Sequence, residues 1–413
     1  MYKSIAKSFL LLSFTKVFLI IIPFIIYPYL IRIYGPEHYG DYVYSMAVLA
    51  FAQVFINYGF DLSATKLVAE SKSDEEKKSK IFFNVLYCKL LISVVSGFIF
   101  VSLFILLDMD VSISLYLYCL SNVVIDSLYP FYYFTAIEKQ LTSLKIQVFT
   151  KFIFMSLVFS LVNETSNINL IPILYLVGSI AALILSFAFL KKNGLRLVPV
   201  DIKYITFLII DGISCFLSRL SSVLNVKMGM VFLGSSSNSV VVSQFDLSQK
   251  LIDLARVPVD IINQIIFPKV VINKELKIAY VTLFLFCIYG LLFVGVVYLF
   301  GEKIVLLIGG HELVSSSQYF KLMSWLVPLS AGSWIVGNNI LIAFGHPRLF
   351  LYSTLISTMF FVFYCIYFKV NESIDAEVII YGMLISSFLL LLIRLIFAKF
   401  IINKQHYEKF KVN

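Results

Sequence analysis

Apolar residues in this chain come in long unbroken runs separated by short polar stretches. A bilayer-crossing helix needs about 20 predominantly apolar residues. The runs therefore predict twelve transmembrane helices, at 9–33, 42–65, 81–107, 112–135, 143–162, 168–190, 205–233, 239–265, 276–299, 317–343, 349–368 and 377–400. The connections are short and leave no room for a sizeable soluble domain. Pro23, Pro28, Pro172, Pro258 and Pro328 fall inside these runs. Membrane helices tolerate proline, usually with a kink. The first run is interrupted by Lys16 and is not followed by a small-residue cleavage site, so it reads as a permanent span and not as a signal peptide.

Composition agrees with that pattern. Of 413 residues, 60% are hydrophobic and 14% charged, against about 25% charged in soluble domains. The net charge of +9 does not point to nucleic acid, because no basic domain exists to bind it. Its distribution is more telling. Alternate connections carry Lys72, Lys77, Lys78, Lys80, Lys139, Lys145, Lys191, Lys192 and Arg196, and the opposite set little more than Arg32, Lys303 and Lys369. That bias predicts cytoplasmic termini in an inner-membrane protein. The five cysteines lie far apart in apolar runs and the four histidines in connections or the tail. Neither set predicts a disulfide or metal site. No phosphate-binding loop, GxSxG or HExxH is present, so no enzymatic activity, catalytic residue or cofactor is expected.

Charges at membrane depth are costly and mark cavities or partners. The deep acids are Asp61, Asp126, Asp211, Asp246 and Asp253, with Asp260 nearer an end; the deep bases are Lys16, Arg219, Lys250 and Arg256. Gln53, Asn57 and Asp61 recur every fourth residue in the second run, one helix face. Tyr118, Asn122, Asp126, Tyr129 and Tyr133 follow a similar rhythm in the fourth. Asp211, Arg219 and Asn225 mark the seventh, Asp246 to Asp260 the eighth, and Asn338 and Asn339 the tenth. The other six runs are nearly all apolar. The pattern predicts two lobes facing each other across a water-filled cavity.

Structural readings stand beside these. Asp246, Lys250 and Asp253 could neutralise one another at helical spacing. Asn57 and Asn122 could be interhelical hydrogen-bond glue. Asp61 could pair with Lys66. Lys89, Lys151, Lys227 and Arg394 are expected to snorkel to an interface. Arg219 is the hardest to explain structurally, because a buried guanidinium wants a carboxylate or phosphate. Faint parallel repeats, such as Ile33-Tyr34-Gly35 against Phe232-Leu233-Gly234, divide the chain into six-helix lobes at 1–194 and 195–413.

Two stretches resemble a known family. One runs from Pro28 through Arg32, Gly35, Tyr39, Gly40 and Tyr42 to Asn57-Tyr58-Gly59-Phe60-Asp61. The other is Ser243-Gln244-Phe245-Asp246-Leu247-Ser248-Gln249-Lys250-Leu251, ending at Phe267-Pro268. They are similar to segments of the Wzx-type O-antigen and polysaccharide flippases of the multidrug/oligosaccharidyl-lipid/polysaccharide exporter superfamily. The resemblance implies an all-α, MATE-like, V-shaped transporter working by alternating access. Its substrate would be an undecaprenyl-diphosphate-linked repeat unit of lipopolysaccharide biosynthesis. It implies coupling to H+ or Na+, membrane lipids as surroundings, and a polysaccharide polymerase and chain-length regulator as partners; a monomer is expected. Carried onto this chain, the substrate candidates are Lys16, Arg219, Lys250, Arg256, Asn57 and Asn122, and the ion-coupling candidates Asp61, Asp126, Asp211 and Asp246. Unlike related lipid II flippases, this chain has only Lys16 on its first span and no deep base on its second. A drug or cation antiporter of the same superfamily is the alternative, and an O-antigen polymerase a more distant one, since no large external loop is present to hold catalytic groups.

Overall fold

The computed structural model describes the backbone of residues 2–71, 74–164, 166–273 and 276–412, and their side chains apart from 2–17, 20, 264, 265, 268, 269, 272, 273 and 403–412. The described chain is helical throughout, with no strand. Its elements are α1 (Tyr2–Asn57), α2 (Ser63–Glu70), α3 (Glu75–Leu106), α4 (Ile113–Leu128), α5 (Phe131–Ala136), α6 (Gln140–Leu161), α7 (Leu170–Lys192), α8 (Ile202–Gly234), α9 (Ser239–Asn273), α10 (Leu276–Gly309), α11 (Ser316–Ser324), α12 (Leu326–Ile335), α13 (Pro347–Val370) and α14 (Ala376–Val412). A π-helical turn, Val336–Ile342, continues α12.

Helix occupies every segment that the apolar runs mark, and the protein is a multi-pass membrane protein. Among the described residues, nine helical stretches are long and apolar enough to cross a bilayer. α4 has only 16 residues, and α9 carries Asp246, Lys250, Asp253, Arg256 and Asp260, so neither meets that standard on composition and length. α10 shows how such a helix sits between protein and lipid. Thr282, Phe286, Gly290, Val294, Val297 and Gly301 recur every three or four residues on its buried side. Phe284, Leu292 and Leu299 stand on the exposed side, at 66%, 65% and 76% exposure.

Three breaks depart from uninterrupted spans. Gly35 (φ 74, ψ 166) divides α1 into two arms, in a region of backbone space almost reserved for glycine. α1 ends at Asn57, and Tyr58 (φ 45) and Gly59 (φ 72) turn the chain away. Asp61 therefore lies in a turn and not on the helix face of Gln53 and Asn57, as the four-residue rhythm suggested. Pro130 separates α4 from α5. The residue before it, Tyr129, is held extended (φ −59, ψ 127), since a following proline disfavours helical backbone.

The chain forms two compact units, residues 1–223 and 224–413. In the first, α1 packs against α3, α4 and α6, and α7 against α4 and α6. The connection after α7 is strapped to α3. The Arg196 backbone N–H donates to Ser79 Oγ at 3.1 Å, and that of Asp201 to Asn84 Oδ1 at 2.9 Å. Lys80 Nζ meets the Asp201 carboxylate at 2.8 Å. The Tyr58–Leu62 turn then grips the first half of α8. Tyr58 stacks on Phe216, with centroids 4.8 Å apart and planes at 10°, and Gly59 lies directly against the backbone of Cys215 and Phe216. These contacts bind 195–223 to the first unit. In the second, α9 packs on α10, α11 and α12, α12 on α10 and α14, and α13 on α14.

Candidate functional site

The first unit holds a cavity of about 410 Å³, walled by α1, α4, α6 and α7. Leu144, Gln147, Lys151 and Phe154 come from α6 at three- and four-residue spacing, and Tyr175, Ser179 and Ala182 from α7 in the same way. Asn57 at the end of α1, Asp126 on α4 and Tyr129 complete the polar wall.

Its charges are placed by hydrogen bonds and ring contacts. Asp126 Oδ2 accepts from Gln53 Nε2 at 3.4 Å. Lys151 Nζ sits 3.6 Å from the centroid of the Tyr175 ring, a cation–π contact that fixes an ammonium group at the cavity wall. Behind the wall Lys89 is only 4% exposed. It donates to Asn57 Oδ1 at 2.9 Å and to the Ser127 carbonyl at 2.6 Å. The Tyr129 hydroxyl lies 2.9 Å from Ser143 Oγ, which also accepts from Gln147 Nε2 at 3.4 Å. Lys89 and Lys151 both lie within electrostatic range of Asp126, so this region carries two ammonium groups for one carboxylate. Such a set suits an anionic or hydroxyl-rich guest. It disfavours a metal cation, and among the described residues no three His, Cys, Asp or Glu side chains gather into a metal site.

Outside the cavity, Arg219 on α8 makes a hydrogen-bonded ion pair with Asp61, both side chains partly exposed. In the second unit Lys250 pairs with Asp246 one turn away on α9. Arg256 Nη1 meets Asp253 Oδ1 at 3.1 Å, and its Nε donates to Ser330 Oγ at 3.1 Å.

A family model described as "Polysaccharide biosynthesis protein" matches residues 5–272. The chain belongs to the polysaccharide biosynthesis protein family. Two relatives carry the name "Putative O-antigen transporter". The one from Escherichia coli (strain K12) is 23% identical over 252 residues, which span 60% of this chain and 61% of that relative. The one from Shigella dysenteriae is 24% identical over 357 residues, 83% of this chain and 87% of the relative. Among solved structures, "Lipid II flippase MurJ, inward closed conformation" superposes with a TM-score of 0.76 at 13% identity, over 94% of this chain and 87% of the other. An outward-facing MATE multidrug transporter of the MOP superfamily gives 0.62 at 13% identity, over 96% of both chains. These likenesses establish the fold that the sequence resemblance implied.

Within this family member the structure sorts the expected site residues. Asn57 and Asp126 meet in the cavity. Asp61 and Arg219 meet each other, while Lys66 lies 3.9 Å from Glu70. Asp246 and Lys250 pair, whereas Asp253, which the spacing grouped with them, is bonded by Arg256, and Arg256 also donates to Ser330. Asn122 is buried away from the cavity and donates to the Pro172 carbonyl at 2.8 Å. Asp211 stands exposed on α8. Lys16 lies on α1, and its side chain is outside the described ones. Three bases expected to snorkel do not. Lys89 and Lys151 serve the cavity. Arg394 is 2% exposed, donating to the Ser333 carbonyl at 2.8 Å and stacking 4.2 Å from the Phe350 ring centroid. The walls from α6 and α7 were unexpected too, since both runs read as apolar. Gln147 and Lys151, one turn apart, are the signal that would have found α6.

Proposed function

We propose that this protein is a flippase for lipid-linked oligosaccharides, moving undecaprenyl-diphosphate-linked repeat units of O-antigen type across the cytoplasmic membrane. The observation that carries the proposal is the cavity of Asp126, Lys151, Asn57, Gln147 and two tyrosines inside an otherwise apolar helical body. Intramembrane charge is retained only where something polar uses it. Amides, a carboxylate and aromatic rings match sugar hydroxyls and ring faces, and the excess of ammonium groups matches an acidic sugar or phosphate. Membership of the polysaccharide biosynthesis protein family and the names of the two relatives support the same substrate class.

On this reading the prenyl tail stays in lipid while the polar head passes through the protein by alternating access. Arg219 is the diphosphate contact. Its guanidinium suits bidentate phosphate binding, and an arriving diphosphate competes with Asp61 for it. Transport draws on an ion gradient, for which Asp126 is a protonatable group within the cavity. Both termini lie in the cytoplasm, the protein makes and breaks no covalent bonds, and the polymerase and chain-length regulator of the same glycan act after it.

Complementation tests this. A strain lacking its own flippase and supplied with the cognate glycan genes should regain surface polysaccharide with the intact chain and lose it with Arg219→Ala at matched membrane abundance. An intact chain that reaches the membrane and restores nothing would overturn the proposal in favour of small-molecule antiport.

A further inference from the structure

Trp334 on α12 is 41% exposed, while every other residue from Leu326 to Gly337 is buried or half-buried. α12 packs on α9, α10 and α14, and the indole stands on the side that these helices leave open. Its N–H donates to nothing among the described residues.

The patch beside it is polar. Residues four apart on a helix are neighbours, with Cβ atoms about 5–6 Å apart, and helical side chains lean toward the preceding turn. Trp334 therefore adjoins Ser330, whose Oγ accepts from Arg256 Nε at 3.1 Å. Arg256 Nη1 donates to Asp253 Oδ1, also at 3.1 Å, and the Asp253 side chain is 53% exposed. These bonds leave further guanidinium N–H donors and the second carboxylate oxygen for a guest. Ser330 lies at the middle of the span Ser316–Ile342, too deep for an interfacial aromatic belt. An ion pair at that depth faces water or a polar guest and not lipid.

We propose that Trp334, Asp253, Arg256 and Ser330 form a subsite in the second unit for an uncharged pyranose ring. The C–H bonds on one face of such a ring carry partial positive charge and suit the negative face of the indole. Adjacent ring hydroxyls fit the forks of the carboxylate and the guanidinium. The Arg256–Asp253 pair is neutral as a whole, which favours a neutral sugar over a diphosphate or an organic cation. The subsite rests on the transport reading and adds to it a sugar contact through an aromatic ring.

The chain has two tryptophans, so Trp325→Phe leaves Trp334 as the sole indole reporter. This full-length variant, purified in detergent, is titrated with the repeat-unit oligosaccharide released by mild acid from its polyprenyl-diphosphate. The oligosaccharide is taken from a strain that carries the cognate glycan genes and lacks a flippase. A saturable change in indole emission is expected, and inorganic diphosphate should cause none. In the otherwise wild-type chain, Trp334→Leu should weaken oligosaccharide binding about tenfold by calorimetry, and Trp334→Tyr should recover most of it. Leucine keeps an apolar surface, so a tryptophan that merely faced lipid would tolerate the change. Asp253→Asn, which leaves α12 untouched, should weaken binding as well. Emission indifferent to the oligosaccharide, an equal response to inorganic diphosphate, or undiminished affinity in Trp334→Leu and Asp253→Asn would overturn the proposal. Oligosaccharide binding at Trp334 without translocation would count against the transport reading alone.

Discussion

Lys89 on α3 donates to Asn57 Oδ1 at the end of α1, 2.9 Å away, and through the same ammonium group to the Ser127 carbonyl near the end of α4. One buried cation thus closes three helices around the rear of the cavity. Lys89→Met keeps most of the side-chain volume but leaves both acceptors short of a donor. Hydrogen bonds to charged groups contribute about 1.5–3 kcal/mol each, so the substitution should lower the denaturation midpoint clearly in detergent. Unchanged stability would mean that the ammonium group does not hold these helix ends together.

Gly59 and Gly35 separate backbone strain from steric overlap. Both have positive φ, and a side chain at such positions costs about 1–3 kcal/mol. A Cβ at Gly35 would meet nothing within 4 Å, whereas at Gly59 it would come within 2.6 Å of Cys215 Cβ and 2.7 Å of the Phe216 nitrogen. Gly59→Ala should therefore destabilise the protein more than Gly35→Ala in paired unfolding measurements. Equal losses would show that the turn does not press on α8 as described.

Lys151 tests the charge of the cavity. Lys151→Met should reduce glycan export by about tenfold or more, the equivalent of losing about 1.4 kcal/mol of binding. Lys151→Arg keeps a cation over Tyr175 and should retain part of the activity. Export measured at matched membrane abundance distinguishes the two. Equal activity of Lys151→Met and the wild type would remove the cavity from the transport path.

Asp201 gives the expected acid response. Its hydrogen bond from Lys80, and then that from the Tyr204 backbone N–H, hold its carboxyl below the usual carboxylate range. A carboxylate depressed on folding adds stability above its unfolded pKa, about 3.9, and loses it as pH falls through the lower folded value. Asp201→Asn should lose that increment at neutral pH and show a shallower fall in stability below about pH 4. The pair is solvent-exposed, so the effect is small and weakens with salt. Parallel acid titrations of unfolding for the two proteins check it.

The membrane fold was legible because runs of some 20 apolar residues have few alternatives. Asp126 and Asn57 were legible as cavity residues because a deep acid or amide needs a reason. Lys89 and Lys151 were not. A lysine stem reaches an interface from within a span as readily as it turns inward, and sequence does not reveal which side of a membrane helix faces protein. Arg394 was misread for the same reason. Asp61 was misplaced because the rhythm of Gln53 and Asn57 was carried across Gly59, the residue that ends the helix. The Asp61–Arg219 pair joins residues 158 positions apart, a pairing that one sequence cannot disclose.

The most direct test is translocation itself. The purified protein would be reconstituted into vesicles containing a fluorescent, polyprenyl-diphosphate-linked oligosaccharide, and the label exposed on each face read by an impermeant quencher. The account predicts label crossing with the wild type, sharply reduced crossing with Arg219→Ala and Lys151→Met, and none in protein-free vesicles. Wild-type vesicles that move the label no faster than protein-free ones, under every ion gradient imposed, would contradict it.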